Sequence, residues 1–458
     1  MKIQSAAVYT YERIIASLEA YRLFNPLTSA AMQINRGVID GEFSTEAIKE
    51  SDIVVFQREF PGNLPNYLAL MSQSAALGKP VVMDMDDDLL GLPAHHPDRI
   101  KLNYAQVQIP ILTGMIQASA LTVTTPYLAD LLRKYNSNIF ILPNYLDDSL
   151  WQFNTPQVEP VGEKIRIIFM GTVTHVPDLE MLKPAFHAQA MKYPGRLEFV
   201  FYGASRKFDE TIPATITNHQ SETFVYADYV KVALSQKANI AIAPLEDIPY
   251  NHCKSSIKFF EYSAIGLPGV YSRVTPYSNV IEEGVNGFTA STINEWVEAL
   301  TQLLENPQLR EKMTLSAQES VRKDWLLSDH AKLWPETYAQ IAELKKPNVS
   351  EIASYLPELV DITLHQDAFF QKLEHERTAH LSKIDNLEHE NSEAKVQLDN
   401  LRVQWIDHTR KIQSLEVEGR HLMQAWDASR LEVVDYALSR SWRLTRPMRK
   451  FIKFLKGK

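Results

Sequence analysis

The stretch from Asn239 to Gly287 reads NIAIAPLEDIPYNHCKSSIKFFEYSAIGLPGVYSRVTPYSNVIEEGVNG. Ile240, Ile242 and Leu245 among small residues predict a strand ending at Pro244, and Pro249 with Asn251 predicts a loop after it. Ser255 or Ser256 then caps a helix that turns Ile257, Phe259 or Phe260, and Ile265 toward a sheet. Lys254, Lys258 and Glu261 fall near the first turns of that helix. Backbone N–H groups and the helix dipole attract an anion there, and each ammonium adds a point charge, so the arrangement suits phosphate. Glu261, three residues after Lys258, shares its face and can accept hydrogen bonds from ribose hydroxyls. Taken alone, the two residues also read as a surface Lys–Glu pair.

Outward from this stretch the chain alternates strands and helices. Ile53 to Phe56, Val81 to Met83, Leu121 to Thr124 and Ile139 to Leu142 are β-rich with helical segments between them, a parallel α/β pattern. After the polar, proline-containing residues 154 to 163 the pattern repeats, with strands at Ile165 to Met170, Leu197 to Tyr202, Ile240 to Ala243 and Val270 to Ser272. Two open α/β domains hold ligands in the cleft at the carboxyl ends of their strands, and Gly171, Gly203 and Pro244 sit at such ends.

The order strand, KSxxKFFEYSAxGLP, strand, PYxxxIxxGxNG resembles the donor half of family 4-like retaining glycosyltransferases of the GT-B fold, the glycosyl transferases group 1. The likeness extends upstream to Gly171-Thr-Val-Thr-His175 with Asp178, and downstream to an Ala317-Gln-Glu-Ser-Val321 helix, covering about residues 50 to 345. It implies an α/β chain with two Rossmann-like domains: residues 1–160 on the acceptor side and 161–325 on the nucleotide-sugar side. Residues 326–346 would cross back onto the first domain, and Lys345, Lys346 and Pro347 would end the catalytic body. The resemblance also implies a nucleotide diphosphate sugar as donor substrate, with no cofactor; no metal is required if two lysines and a helix terminus hold the diphosphate. Lys254 and Lys258 would neutralise the leaving diphosphate, Glu261 would hold the ribose, and Gly171 with His175 would contact donor phosphate or sugar. Many members carry a second glutamate eight residues before the one matching Glu261. Here Cys253 stands in that place, so the usual glutamate pair is incomplete.

Other residues offer further chemistry. Asp84, Asp86, Asp87 and Asp88 follow a strand, where a DxD can hold a divalent cation, so a metal-dependent enzyme centred on Asp84 and Asp86 stays open. The other assignment puts Asp84 and Asp86 on the acceptor side, binding sugar hydroxyls, with capping by Asp87 or Asp88 as the structural alternative. Arg58 ends the strand from Ile53 and can reach the acceptor side of the cleft, or serve a structural ion pair. His175 opens a helix beginning around Asp178, and its imidazole can donate to a sugar oxygen.

The chain has 458 residues, 45% of them hydrophobic, enough for two or three packed domains. A single cysteine excludes an internal disulfide and a Cys-rich zinc site and points to a reducing compartment. The first twenty residues include Tyr9, Tyr11, Glu12 and Arg13 rather than an apolar run, so the expected location is cytoplasmic. Residues 437–458 hold eight Lys or Arg and no acid, which leaves −17 for the rest of a chain whose net charge is −9. That acidic body disfavours nucleic acid.

From about residue 370 the period changes. Ile384, Leu387, Asn391, Ala394, Leu398, Leu401, Trp405, His408, Ile412, Leu415, Gly419, Leu422 and Trp426 step by three and four, a heptad seam. After a linker at 347–369, residues 370–436 are therefore expected to form a self-associating coiled coil roughly 100 Å long, or a long helix folded on the body. The tail at 437–458 interleaves Trp442, Leu444, Met448, Phe451, Ile452 and Leu455 with its cations, as a basic amphipathic helix on an anionic membrane surface does. Docking of the tail on the acidic body is the alternative. Its Ser441-Trp442-Arg443-Leu444-Thr445 segment resembles a motif that follows coiled coils in surface-polysaccharide glycosyltransferases.

The expected activity is transfer of a sugar to a growing glycan at the inner face of the plasma membrane. A catalytically silent scaffold that recruits other polysaccharide enzymes through its coiled coil is the alternative from another class.

Overall fold

A computed structural model of the protein describes residues 2–10, 17–60, 62–101, 103–104, 107–161, 163–204, 213–219, 225–344 and 356–457, with backbone alone at 356–369. Tyr11, Glu12, Arg13, Lys345, Lys346 and residues 347–355 of the expected linker lie outside the described residues. Met1–Ala368 and Phe369–Lys458 are separate compact units.

The first unit is built on two six-stranded sheets. The strands in chain order are β1 Ser5–Tyr9, β2 Gln33–Arg36, the short hairpin β3 Val38–Ile39 and β4 Glu42–Phe43, β5 Ile53–Gln57, β6 Val81–Met85, β7 Ala120–Val123, β8 Ile139–Ile141, β9 Ile165–Met170, β10 Leu197–Tyr202, β11 Thr215–His219, β12 Ile240–Ala243, β13 Gly269–Ser272 and β14 Phe288–Ala290. The sheet orders are β2-β1-β5-β6-β7-β8 and β11-β10-β9-β12-β13-β14, with neighbouring strands parallel throughout. Both are doubly wound sheets with a switch in strand order beside their first strand, β1 in one and β9 in the other.

Helices cover both faces of each sheet, so the central strands read as continuous apolar runs. In the first sheet Ala7, Val54, Phe56, Met83 and Leu121 face Leu64, Tyr67, Ile111 and Met115. The alternate residues Ala6, Val8, Val55, Val82 and Ala120 face Leu23, Leu27, Trp334, Tyr338 and Ile341. The helices Leu327–His330 and Leu333–Ala342 thus close the far face of the first sheet. In the second sheet Phe169, Phe199, Phe201 and Ile242 pack on Phe186, Trp296 and Leu300, while Ile168, Met170, Val200 and Ala243 pack on Phe259, Phe260 and Ile265.

Four strands of the two six-stranded sheets, and the short hairpin β3–β4, are not among the expected strands. β1 is SAAVY, too poor in large side chains to stand out, and β2 and β11 are polar edge strands with half-exposed residues. β14 has three residues. The segment after Pro244 is also more ordered than the expected loop, since Pro249–His252 forms a helical turn.

Leu356–Leu438, most of it in the second unit, is a single helix of 83 residues, about 125 Å at 1.5 Å per residue. Its seam residues stand in solvent, Leu398 51%, Leu401 60% and Trp405 69% exposed. Ser439 interrupts it, and its hydroxyl accepts from the Trp442 N–H at 3.2 Å to start the helix Arg440–Leu444. The Trp442 ring does not lie on an apolar face: Arg449 covers it at 3.2 Å and Tyr436 packs beside it at 4.8 Å. The helix Arg446–Lys456 carries Met448, Phe451, Ile452 and Leu455 along one stripe, all exposed. No described helix is long and apolar enough to cross a membrane.

Candidate functional site

Glu261 is the centre of the site. It sits in the second turn of the helix Ile257–Ile265, which stops where Gly266 turns left-handed at φ +89°; a Cβ there would lie 2.5 Å from the Thr155 carbonyl oxygen. Ser256 holds the N-cap position without capping: its hydroxyl donates to the Pro276 carbonyl at 2.7 Å, and Ser255 accepts from Asn144 at 2.9 Å. Neither serine satisfies the first amides of the helix, contrary to expectation.

Lys258 reaches Glu261 at 2.7 Å, but this is no surface pair, because Glu261 is 2% exposed. The Tyr229 hydroxyl donates to Oε2 at 3.1 Å, and Oε1 accepts from Tyr21, which belongs to a π-helical turn, Ala20–Phe24, of the first domain. Tyr21 packs edge-on against Tyr226 at 4.7 Å and joins the core of the second domain with Ala20. Burial, reinforced by Glu261, raises the pKa of Tyr21 and Tyr229 far above the phenol range, so both remain donors. Burial alone would lower the Lys258 pKa; Glu261 outweighs it and holds the ammonium above the usual lysine value.

Lys254 lies one turn earlier, 3.6 Å from Asp87 of the first domain and 4.6 Å over the Tyr250 ring. Cys253 beside it is fully buried in the core of the first sheet, and its carbonyl accepts from Thr125 at 3.0 Å. Burial pushes its thiol up to about 12, so it offers neither a nucleophile nor a substitute for a carboxylate.

Gly171 ends β9. A Cβ there would meet the Phe169 ring at 2.7 Å and His175 at 3.1 Å, so the need for glycine arises from these two rings. The end of β10 presses on the same point: Gly203, at φ +85°, would put a Cβ 2.4 Å from the Gly171 carbonyl oxygen. His175 Nδ1 lies 2.9 Å from Asp178 Oδ2. The carboxylate makes Nδ1 the protonated nitrogen and leaves Nε2 an acceptor, while burial, only partly opposed by Asp178, lowers the imidazole pKa. His175 is therefore equipped to accept from a hydroxyl, not to donate as the sequence suggested. Asp178 escaped notice as a hub: Oδ1 also accepts from the Glu246 N–H at 2.8 Å and Asn251 at 3.2 Å, tying the β9 loop to the β12 loop.

The acceptor-side expectations divide. Asp84 is 1% exposed and takes Arg22 twice, Nε at 3.1 Å and a terminal nitrogen at 2.7 Å, as well as Thr122 at 2.7 Å and Gln57 at 3.4 Å. Its four lone-pair sites are filled inside the fold, so it holds neither a sugar hydroxyl nor a metal ion, and both readings of Asp84 are corrected. Asp86 lies 3.4 Å from Arg58, and burial pushes its carboxyl up to about 6 despite that guanidinium. Arg58 itself has φ +51°, a strained value for a non-glycine residue, and donates to the Tyr104 hydroxyl at 2.9 Å. The pair stays at the strand ends of the first domain, about one-seventh exposed. No helix begins directly after Asp88 in the described chain, so neither Asp87 nor Asp88 caps one; Asp88 instead accepts from the Gly91 N–H at 3.1 Å within a turn. Among the described residues no group of three or more His, Cys, Asp or Glu could hold a metal ion.

Two spaces adjoin Lys254. One is a polar recess between His95, His96, His175, Tyr250 and Lys254 with a volume of about 10 Å³, room for about one water. The other is a groove of about 290 Å³ lined mainly by apolar groups, among them Tyr127, Pro143, Phe260 and Trp325.

Comparison with known proteins adds the family. Residues 164–306 match the family model for glycosyl transferases group 1. No curated protein matches the sequence. Among solved structures the chain is similar to a sucrose-phosphate synthase from Thermosynechococcus elongatus, at 12% identity and a TM-score of 0.50 over 74% of this chain and 99% of that one. It is also similar to Anabaena HepE in complex with UDP-glucose, at 11% identity and a TM-score of 0.49 over 74% and 100%, respectively. With TarM, known from S. aureus, it shares 13% identity and a TM-score of 0.44, over 62% of this chain and 54% of TarM. The two parallel sheets give this chain the two-domain GT-B fold, and its second sheet lies within the stretch that matches the glycosyl transferases group 1 model.

Proposed function

We propose that the protein transfers a sugar from a nucleotide diphosphate sugar to a glycan acceptor, with retention of anomeric configuration and without a metal ion. The observation that carries this is the buried carboxylate of Glu261 beside two lysines on one helix, in a domain that matches the group 1 family model. Glu261 binds the ribose hydroxyls. Lys258 and Lys254 stabilise the diphosphate as its charge develops on leaving, a role that needs fixed cations in a site shielded from water. His175, held by Asp178, accepts from a sugar hydroxyl next to Gly171. Arg58 and Asp86 face the acceptor. Incubation with nucleotide sugars and NMR of the released or transferred sugar tests the reading: an inverted anomer refutes retention, and activity abolished by EDTA refutes metal independence.

We further propose that the exposed seam of the long helix pairs with a second copy and that the tail lies on anionic lipid at the inner face of the membrane. The exposed stripe Met448, Phe451, Ile452 and Leu455 beside Arg446, Arg449, Lys450 and Lys453 supports the second part. Flotation on anionic vesicles should be lost when residues 437–458 are removed; equal flotation contradicts it. Cys253, buried at the position where many members of the resembled family carry a glutamate, is the observation that favours the scaffold instead, and absence of binding by any donor would select it.

A further inference from the structure

Two of the polar groups assigned to the donor are held by the first domain. Glu261 takes a hydroxyl from Tyr21, and Lys254 faces a carboxylate from Asp87 at 3.6 Å. These are the pairings a nucleoside diphosphate would make: an O–H on the carboxylate that binds ribose, and an anionic oxygen on the ammonium that binds phosphate. A third link, His95 to Glu246 at 2.7 Å, joins the same two domains at the rim. Glu261 has one lone-pair site left, on Oε1, too few for both hydroxyls of a diol. Oε2 takes Lys258 and Tyr229, Oε1 takes Tyr21, and the residue is 2% exposed. Tyr229 stands on the helix Tyr226–Ser235 of the donor domain and moves with Glu261, whereas Tyr21 stands on the other domain. The turn bearing Tyr21 is π-helical, a rare conformation concentrated at functional sites, and it straddles the two domains: Ala20 joins the core of the second while Leu23 and Phe24 join that of the first.

We infer that Tyr21 and Asp87 are built-in surrogates for the donor, so that a nucleotide must displace Tyr21 from Glu261 and Asp87 from Lys254 to bind. Donor entry thereby loosens the turn at Ala20–Phe24 and couples occupancy to movement of the first domain. This rests on the donor site proposed above. The test is calorimetric titration of the full chain with UDP, ADP and GDP. Tyr21→Phe keeps the ring on Tyr226 and removes only the hydroxyl. A hydrogen bond to a charged group that no longer competes is expected to tighten binding by about tenfold, while thermal stability falls. A merely structural tyrosine would lower both or leave affinity unchanged, and either result overturns the inference. Tyr229→Phe removes a donor that need not leave, so equal tightening by that variant also overturns it. If Tyr21→Phe does not fold, Asp87→Asn should tighten binding by about threefold, and unchanged affinity there counts against the surrogate role. Failure of all three nucleotides to bind wild type and every variant would refute the donor site itself and the surrogate with it.

Discussion

Replacing Asp84 by alanine should strongly destabilise the first domain. Arg22 is fully buried and Asp84 is 1% exposed, and they meet through two hydrogen bonds at 2.7 and 3.1 Å. Without Asp84, Arg22 keeps only the Leu142 carbonyl and the Asn144 side chain, neither of which carries charge. Removing one partner of such a pair costs about 3–5 kcal/mol, and at about 2–4 °C per kcal/mol the unfolding of that domain should drop by roughly 6–20 °C. Replacing both residues by apolar ones of similar volume should restore much of the loss, because no buried charge is then left unpaired. Trp334 reports the event locally, since its indole N–H donates to the Arg22 carbonyl at 3.0 Å. Urea unfolding followed by tryptophan fluorescence measures both effects. A loss of activity in Asp84→Ala with stability lowered by less than about 1 kcal/mol would refute this reasoning and return Asp84 to the acceptor.

Three further outcomes are expected. Phe260→Ala, which removes a 1% exposed ring stacked on Trp325 at 4.7 Å, should cost about 3–5 kcal/mol in urea; a cost under about 1 kcal/mol contradicts the packing. The lowered pKa of His175 means that below about pH 6.5 the unfolded chain binds a proton that the native state refuses. Its contribution is complete above that pH and is lost as the pH falls, so wild type should lose more stability between pH 7 and 5 than His175→Gln; parallel curves would exclude it. Leu398→Asp with Leu401→Asp should reduce the sedimenting mass to that of one chain, and an unchanged mass would show that the seam does not associate.

The sheets were legible where burial on both faces writes itself as an apolar run, as in β5, β9 and β12. They were not legible where strands are short, small or half-exposed, as in β1, β11 and β14. Lys254, Lys258 and Glu261 could be found because they share one helix and its neighbouring loop. Tyr21 could not: 240 residues separate it from Glu261, and only the meeting of two domains joins them. Asp84 and Asp86 look alike in sequence, two residues apart at a strand end. The strand ends at Met85, so its pleat aims Asp84 at Arg22 inside the fold but no longer governs Asp86, which lies past the strand beside Arg58; the arginine partners, not the acids, set their roles.

The donor site is tested most directly by binding of nucleotide sugars to wild type and Lys258→Ala, followed by calorimetry. Lys258 contributes a fixed charge 2.7 Å from Glu261 and a cation for the diphosphate, so its loss should weaken binding by about tenfold or more for whichever donor binds wild type. Equal affinity in the two proteins would contradict the assignment of this helix to the donor.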